Sequence, residues 1–244
     1  MSVSPSHPEA RLAAHVRACR VGDQMIFLDL LHSKYIGIGG PQIPALSDMI
    51  LGTAGADGLQ MQAPDAALLG KYIRRLRQQQ LLSNGPVLEP TKSSPVLETP
   101  AATWAVDVQD HPGSFECRQL LRLWRSTFIA SAWLRRRSLA DIAERLVALR
   151  ARQPDRQHQS STDAVRTSVE SYTRLRPFAL SAHDRCLNDS LTLIHFLATQ
   201  GLFARWVIGV RVDPFGAHSW AQVGDAVLND YPERVRHFQP ILIV

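Results

Sequence analysis

A cluster of prolines near the middle of the chain constrains its fold more than any other feature. The segment 84–102 contains Pro86, Pro90, Pro95 and Pro100 among serine, threonine and glycine residues. Proline lacks a backbone N–H group and fixes φ, so such a segment continues neither a helix nor a central strand. The chain of 244 residues is long enough for two small domains. We therefore predict a first domain over residues 1–85, a linker over 86–112 and a second domain over 113–244.

The first domain begins with alternating apolar and polar residues, a pattern typical of strands. A Gly-Asp pair at 22–23 predicts a hairpin turn. Helical spacing follows, with Asp65 as the expected N-cap of the longer helix. The predicted elements are strands at His15–Val21, Met25–Leu31 and Lys34–Ile38 and helices at Pro44–Leu51 and Asp65–Leu82. This content predicts a small α+β domain.

The second domain has helices first and strands afterwards. The segment Cys186–Thr199 is apolar on nearly every side, which predicts a buried helix that ends before Gly201. The other predicted helices are Phe115–Arg137, Leu139–Arg150 with Ser138 as its cap, and Thr162–Leu175. The predicted strands are Phe203–Val212, Ala217–Val223 and Ala226–Asn229, with an edge strand at Ile241–Val244. Both domains are therefore expected to be α+β.

Charge and cysteine content exclude several classes of protein. The net charge of +5 comes from 27 basic and 22 acidic residues without a long block of one sign, which does not favour nucleic acid as the partner. Cys19, Cys117 and Cys186 are far apart and form no Cys-x-x-Cys pair, so neither a disulfide framework nor a metal site is predicted. We find no apolar signal core and no long uncharged apolar stretch, and we expect a cytoplasmic protein without a membrane span.

The chemistry of the chain is expected at Cys186. A thiol is a good nucleophile only as thiolate, and a helix N-terminus, a nearby cation and a histidine base each favour the thiolate. Cys186 opens a predicted helix and follows Arg185. His218 lies on a predicted strand and Asp230 ends the next one, so these side chains could supply a base and a group that orients it. The pattern predicts a Cys-His-Asp site for acyl transfer.

The register of the strands that carry His218 and Asp230 limits this site. With a two-residue turn at 224–225, Ser219 would face Asp230, and His218 would project from the opposite face of the sheet. With a three-residue loop at 224–226, His218 would be a diagonal neighbour of Asp230, ~7–8 Å away. We therefore predict a three-residue loop or a bulge in this hairpin.

Three segments of the second domain resemble a known family. They are Arg185–Leu191, Phe203–Val210 and Ala217–Gln222, and the resemblance covers roughly residues 113–244. The order of a cysteine opening a helix, a strand with histidine and a strand ending in aspartate resembles the transglutaminase-like or papain-like cysteine peptidase fold. More closely, it resembles the lasso-peptide leader peptidases, the B proteins of lasso-peptide biosynthesis.

The resemblance implies a function and a role for each site residue. Cys186 would be the nucleophile, His218 the base and Asp230 the group that orients the imidazole. The protein would cleave a precursor peptide after its leader. A separate ATP-dependent lactam synthetase would then close the ring of the released core peptide, so ATP is implied only for that partner and no cofactor is expected here.

The first domain resembles the winged-helix-like leader-recognition domain of many peptide-modifying enzymes. There a leader adds as a strand to a sheet edge, where main-chain bonds give affinity and side-chain pockets give specificity. The residues implied are Tyr35, Ile36, Gly37 and Ile38 at the edge and Lys71, Tyr72 and Arg75 on the helix beside it. A winged-helix-like shape could equally bind DNA, although the only basic patch in this domain is Arg74, Arg75 and Arg77.

Two other functions stay open at the level of the sequence. The chain could be a non-catalytic scaffold that presents the leader to a partner enzyme. It could also be a transglutaminase-like acyltransferase that forms an amide, because the same thiol chemistry serves both outcomes.

Overall fold

The computed structural model of the chain describes residues 11–51, 66–83, 97–105, 117–151, 162–180 and 186–244. The chain divides into two compact units, residues 1–93 and 94–244. Each unit has its own sheet, and each is described by itself below.

The first unit is built on a three-stranded antiparallel sheet in the order β1-β2-β3. The strands are β1 (Val16–Val21), β2 (Gln24–Asp29) and β3 (Lys34–Gly39). Val21 pairs with Gln24 across the predicted turn, and Gly22 adopts a φ of +56°, a conformation that glycine takes at little cost. The central strand is buried on both faces, since Met25, Ile26, Phe27 and Leu28 are all buried.

Two helices pack on one face of this sheet. They are α1 (Ile43–Leu51) and α2 (Ala66–Gln78). Leu69, Ile73 and Leu76 follow helical spacing on α2 and join the cluster formed by Met25 and Phe27. The longer helix ends at Gln78 rather than at the predicted Leu82, because Gln80 takes a φ of +58° and the chain turns back there.

The second unit has a five-stranded sheet in the order β4-β7-β6-β5-β8. Its strands are β4 (Ala102–Thr103), β5 (Arg205–Val212), β6 (Phe215–Val223), β7 (Ala226–Val227) and β8 (Gln239–Ile243). Its helices are α3 (Cys117–Arg136), α4 (Leu139–Ala151), α5 (Thr162–Leu175), α6 (Cys186–Ala198) and α7 (Pro232–Val235), with a 3-10 turn at Arg176–Phe178. The edge strand predicted at the end of the chain is confirmed, because β8 pairs antiparallel with β5.

Helix α6 is the centre of the second unit. Its residues from Asp189 to Leu197 are all buried, as its all-round apolar sequence predicts. The helix packs against α3, α5 and strand β6. Tyr172 on α5 lies against Phe196 with a centroid distance of 5.6 Å. The N-terminal end of α6, which begins at Cys186, is thereby fixed next to the sheet.

Part of the predicted linker belongs to the second unit. Strand β4 pairs in parallel with β7, although it falls within the segment 86–112 that the sequence assigned to the linker. Gln222 donates from Nε2 to the carbonyl of Glu98 at 2.7 Å, and Arg236 donates to the carbonyl of Pro100 at 2.7 Å. Residues 97–105 therefore correct the linker prediction, because prolines are compatible with an edge segment of a sheet.

The fold class predicted from the sequence is confirmed. A three-stranded antiparallel sheet with helices is followed by a mixed unit of helices and strands. None of the helices in the described ranges has both the length and the apolar character needed to cross a bilayer.

We predict that replacing Gly209 on β5 will destabilise the second unit. A methyl group there would lie 2.9 Å from Cβ of Phe238 and 2.9 Å from the ring of Trp220. Overpacking of this kind costs about 1–3 kcal/mol. Gly209→Ala should lower the free energy of unfolding by this amount in chemical denaturation followed by circular dichroism.

Gly70→Ala is the matched control for this prediction. Gly70 lies within α2, and a methyl group there would meet no atom within 4 Å. The control should be as stable as the parent or more so, because alanine favours a helix over glycine. Equal stability of Gly209→Ala and the parent would contradict the prediction.

Candidate active site

The cysteine of the candidate site opens helix α6. Cys186 is the first residue of this helix and is partly exposed, whereas the helix behind it is buried. Backbone N–H groups in the first turn of a helix lack partners within the helix and favour a nearby negative charge. The predicted contribution of Arg185 lies outside the described residues.

The histidine of the site lies on β6 between two aromatic side chains. The imidazole of His218 stacks on Trp220 with a centroid distance of 6.2 Å and an interplanar angle of 21°, and it lies 5.2 Å from the ring of Phe238. Gly209, the residue opposite His218 on β5, leaves room for both rings. These contacts fix the orientation of a side chain that is only 6% exposed.

Asp230 contacts the imidazole directly. Oδ2 of Asp230 lies 2.5 Å from Nε2 of His218, and Oδ1 accepts a hydrogen bond from the backbone N–H of Tyr231 at 2.8 Å. The carbonyl of Asp230 accepts a hydrogen bond from Thr103 on β4 at 2.8 Å. The guanidinium of Arg234 lies 3.8 Å from the carboxylate. Both the backbone and the side chain of Asp230 are therefore held in place.

The predicted three-residue loop or bulge between β6 and β7 is wrong. Val223 pairs with Ala226 across a two-residue turn, in which Gly224 has a φ of +56°. Strand β7 ends at Val227 instead of continuing to Asn229 as predicted.

The end of the ladder at Val227 brings His218 and Asp230 together. In a continued ladder the N–H of Ala221 would bond to the backbone of the neighbouring strand, but here it donates to the side chain of Asn229 at 2.9 Å. The chain beyond β7 therefore leaves the strand geometry, and the alternation of faces no longer determines where Asp230 points. The prediction that a two-residue turn would separate His218 from Asp230 is wrong because it required regular strand pairing as far as Asp230.

The side chain of His218 faces the thiol of Cys186, and its hydrogen bonding and charge lower the pKa of that thiol. Because Nε2 of the imidazole contacts Asp230, Nδ1 is the nitrogen that faces the sulfur. Hydrogen bonding by the backbone N–H groups of Leu187 and Ser219 lowers the pKa of this thiol as well. The sulfur thus faces donors from the start of α6 and from β6.

These contacts favour a charged pair. Burial raises the pKa of Cys186, but the hydrogen bond and charge of His218 and the two backbone donors lower it below its ordinary value. Burial alone would lower the pKa of His218, yet Asp230 and Cys186 raise it to about 9. Burial opposes ionisation of Asp230, and its hydrogen bonds with His218 and Tyr231 bring its pKa below the ordinary value. A thiolate and an imidazolium in this arrangement have the chemistry required for attack on a carbonyl and protonation of a leaving group.

Buried hydroxyl groups join α6 to the sheet behind the site. Oγ of Ser219 lies 2.8 Å from Oγ of Ser190 on α6, and the indole of Trp206 donates to Ser219 at 2.8 Å. Ser219 in turn donates to the carbonyl of Val207 at 3.0 Å. This hydroxyl network was not predicted from the sequence. The polar residues within the otherwise apolar helix α6 indicate such a network, because a buried hydroxyl group needs a hydrogen-bond partner.

The residues expected to bind a leader lie at one edge of the first unit. Tyr35, Ile36, Gly37 and Ile38 are on β3, which is an edge strand of the sheet. Lys71 and Arg75 are exposed on α2. Tyr72 is partly buried and donates from its hydroxyl to the carbonyl of Gly39 at 3.4 Å, so it lies beside the end of β3. The structure places Tyr72 beside the end of β3, and the role of all seven residues in binding stays a prediction.

Comparison with known proteins assigns the second unit to a family. Residues 124–243 match the family model described as the Transglutaminase-like superfamily. This range contains Cys186, His218 and Asp230 together with helix α6 and strands β5 to β8. The second unit is therefore a transglutaminase-like α+β domain, as the resemblance of the sequence implied.

Part of the chain is also similar to a known peptide-processing protein. A stretch of 47 residues is 47% identical to the microcin J25-processing protein McjB of Escherichia coli. The stretch covers 19% of this chain and 23% of the length of McjB. No solved structure matches the chain significantly. Together with the family model, this similarity supports the resemblance to the lasso-peptide leader peptidases.

We predict that Cys186 reacts with iodoacetamide at neutral pH and that its reactivity depends on His218. The rate should follow a thiol pKa below the ordinary 9.0. His218→Ala leaves burial as the main effect, so the rate at pH 7 should fall about tenfold for each unit by which the pKa rises. Mass spectrometry of peptides from protein alkylated over a series of pH values measures this rate for each cysteine.

Two internal references control this measurement. Cys19 should stay unreactive at neutral pH, because burial raises its pKa to about 12. His237→Ala removes an exposed histidine near the site and should leave the reactivity of Cys186 unchanged. A His218→Ala protein that reacts as fast as the parent would contradict the charged pair.

Proposed function

We propose that the protein is a cysteine peptidase that cleaves the precursor of a lasso peptide after its leader. The observation that carries this proposal is the series of contacts from Cys186 through His218 to Asp230 within a transglutaminase-like domain. The similarity to a microcin J25-processing protein supports a precursor peptide as the substrate. On this proposal Cys186 is the nucleophile, His218 the acid and base, and Asp230 the group that orients and stabilises the imidazolium.

The proposed reaction has two steps. The thiolate of Cys186 attacks the scissile carbonyl carbon, the C–N bond breaks, and the imidazolium of His218 gives its proton to the departing amine. Water then attacks the carbonyl carbon of the thioester and gives a proton to the imidazole, and the C–S bond breaks. The leader leaves with a free carboxylate, and the thiolate of Cys186 and the imidazolium of His218 are restored. The N–H groups of Leu187 and Ser219 already point at the sulfur, so they are suitably placed to stabilise an oxyanion formed beside it.

The first unit has the features expected of a leader-binding module. Strand β3 is at an edge of its sheet, and the exposed cations Lys71 and Arg75 lie on the helix whose Tyr72 contacts the end of that strand. We propose that the leader adds to β3 by main-chain hydrogen bonds. Binding there raises the effective concentration of the cleavage site at Cys186. A cytoplasmic, ATP-dependent lactam synthetase would then act on the released core peptide.

An acyltransferase is the second candidate, because the family model is that of the transglutaminase-like proteins. Both reactions pass through a thioester on Cys186 and differ in whether water or an amine attacks it. The mass of the product separates them, since hydrolysis adds one water and amide formation adds the amine.

Replacing the nucleophile tests the proposal. We expect Cys186→Ala to abolish cleavage of a precursor peptide while its affinity for the leader stays within about twofold of the parent, because the thiol forms the thioester and has no part in leader binding. Chromatography with mass spectrometry measures cleavage, and fluorescence anisotropy with a labelled leader measures binding.

The exposed Cys117 provides the matched control. Cys117→Ala should cleave like the parent, since Cys117 is an exposed free cysteine at the start of α3. Unchanged cleavage by Cys186→Ala would exclude the peptidase and favour a scaffold that only presents the leader.

Charge reversal on α2 tests the leader site. Arg75→Glu should weaken leader binding about tenfold or more and raise the KM for the full precursor with little change in kcat, because the cation lies on the proposed wall of the site. Arg77→Glu is the control, since it makes the same charge change two residues further on, on another side of the same helix. Equal effects of the two substitutions would contradict a leader site at Arg75.

A further inference from the structure

A side-chain amide bridges the two elements that carry the site. Asn229 directly precedes Asp230, and its Oδ1 accepts the hydrogen bond from the N–H of Ala221 on β6 at 2.9 Å. Its Nδ2 donates to Oδ2 of Asp189 on α6 at 2.7 Å. One amide therefore spans from the sheet to the helix at the point where pairing between β6 and β7 has ended.

Asp189 is a buried acceptor with donors on both oxygens. It is 2% exposed and lies three residues after Cys186, on the same helix. Its Oδ2 accepts from Asn229, while Oδ1 accepts from the hydroxyl of Tyr172 at 2.8 Å and from Nε of Arg176 at 2.9 Å. A buried carboxylate with all of these bonds made is costly to disturb, because any displacement leaves a polar group without a partner.

The bridge joins the helix of the thiol to the segment of the carboxylate. We propose that Asn229 and Asp189 are positioning residues, whose hydrogen bond holds Asp230 against His218 and His218 against Cys186. The bridge does not touch the sulfur and acts through Asp230. This inference rests on the proposed roles of the three site residues and adds to them the contact that fixes their spacing.

The charged groups around the bridge determine how its loss would be observed. Arg234 faces Asp230 from α7, Arg176 faces Asp189 from the 3-10 turn, and His218 and Cys186 face each other beside them. Burial raises the pKa of Asp189 above its ordinary value, although Arg176, Asn229 and Tyr172 oppose this shift. If Asp230 moves away, His218 loses its anionic partner and Cys186 loses part of the stabilisation of its thiolate.

Single substitutions break the bridge in two different ways. Asn229→Ala removes both hydrogen bonds of the amide. Asn229→Asp keeps the size of the side chain but places two carboxyl groups against each other, and Asp189→Asn places an NH₂ group against the donors Asn229, Tyr172 or Arg176. Asn229→Asp carries the comparison if Asn229→Ala does not fold.

A reciprocal exchange restores the bridge. In the double variant D189N/N229D, the new carboxylate at 229 accepts from the N–H of Ala221 and from the new amide at 189. The oxygen of that amide accepts from Tyr172 and Arg176, so every hydrogen bond has a donor and an acceptor again. Asn188→Ala is the matched control, because Asn188 neighbours Asp189 on α6 but accepts its hydrogen bond from Ser131 on α3, outside the bridge.

The readout is the rate of alkylation of Cys186 by iodoacetamide as a function of pH, measured in the full chain together with its melting temperature. We expect the single variants to react about tenfold more slowly at pH 7 and to need about one pH unit more for the same rate, since one pKa unit is tenfold in thiolate. The exchange should recover most of the lost rate, and Asn188→Ala should react like the parent.

Two results would overturn the inference. One is a lowered melting temperature of the single variants with an unchanged pH profile, which is the behaviour of a merely structural contact. The other is a folded double variant that recovers none of the rate. The alkylation assay needs no precursor peptide, so the proposed function fails separately, through precursor cleavage that survives Cys186→Ala.

Discussion

The interaction of Cys186 with His218 is the contact on which the proposed function of the second unit depends. It joins the first residue of a buried helix to a strand in the middle of a sheet. Neither partner would be charged to the same extent alone, because burial raises the pKa of the thiol and lowers that of the imidazole. Each is stabilised in its charged form by the other, and Asp230 adds a second anion on the far side of the ring.

The surroundings of this pair restrict its motion. Trp220 and Phe238 contact the imidazole, and the absence of a side chain at Gly209 makes room for both rings. The serine network between α6 and β6 fixes the helix against the strand without charged groups. Preorganisation of this kind means that little reorganisation is needed when charge develops in a reaction. The same rigidity would serve either hydrolysis or amide formation.

In the proposed function, the first unit recognises the peptide and the second unit carries out the chemistry. A cleft with one charged pair selects its substrate weakly, whereas a sheet edge recognises an extended peptide over several residues. Dividing recognition from chemistry lets the sequence of the leader determine which peptide is bound, and it leaves the cleavage site under fewer constraints.

The sequence by itself predicted the α+β class, the all-round burial of α6 and the identity of the three residues that meet in the site. Apolar periodicity determines elements, and the chemistry of cysteine, histidine and aspartate determines what they can do together. Prolines were a less reliable guide, since Ala102 and Thr103 pair in the sheet although they follow Pro100.

Only the tertiary structure decided how His218 reaches Asp230. The register of a regular hairpin places them on opposite faces, and no local pattern indicates that the strand ends at Val227. The N–H of Leu228 still donates to the carbonyl of Ala221 at 2.9 Å, but the N–H of Ala221 donates to the side chain of Asn229. That side chain is itself held by Asp189, 40 residues earlier in the chain. A contact between residues so far apart has no local pattern, so it exists only once the helix and the sheet have packed together.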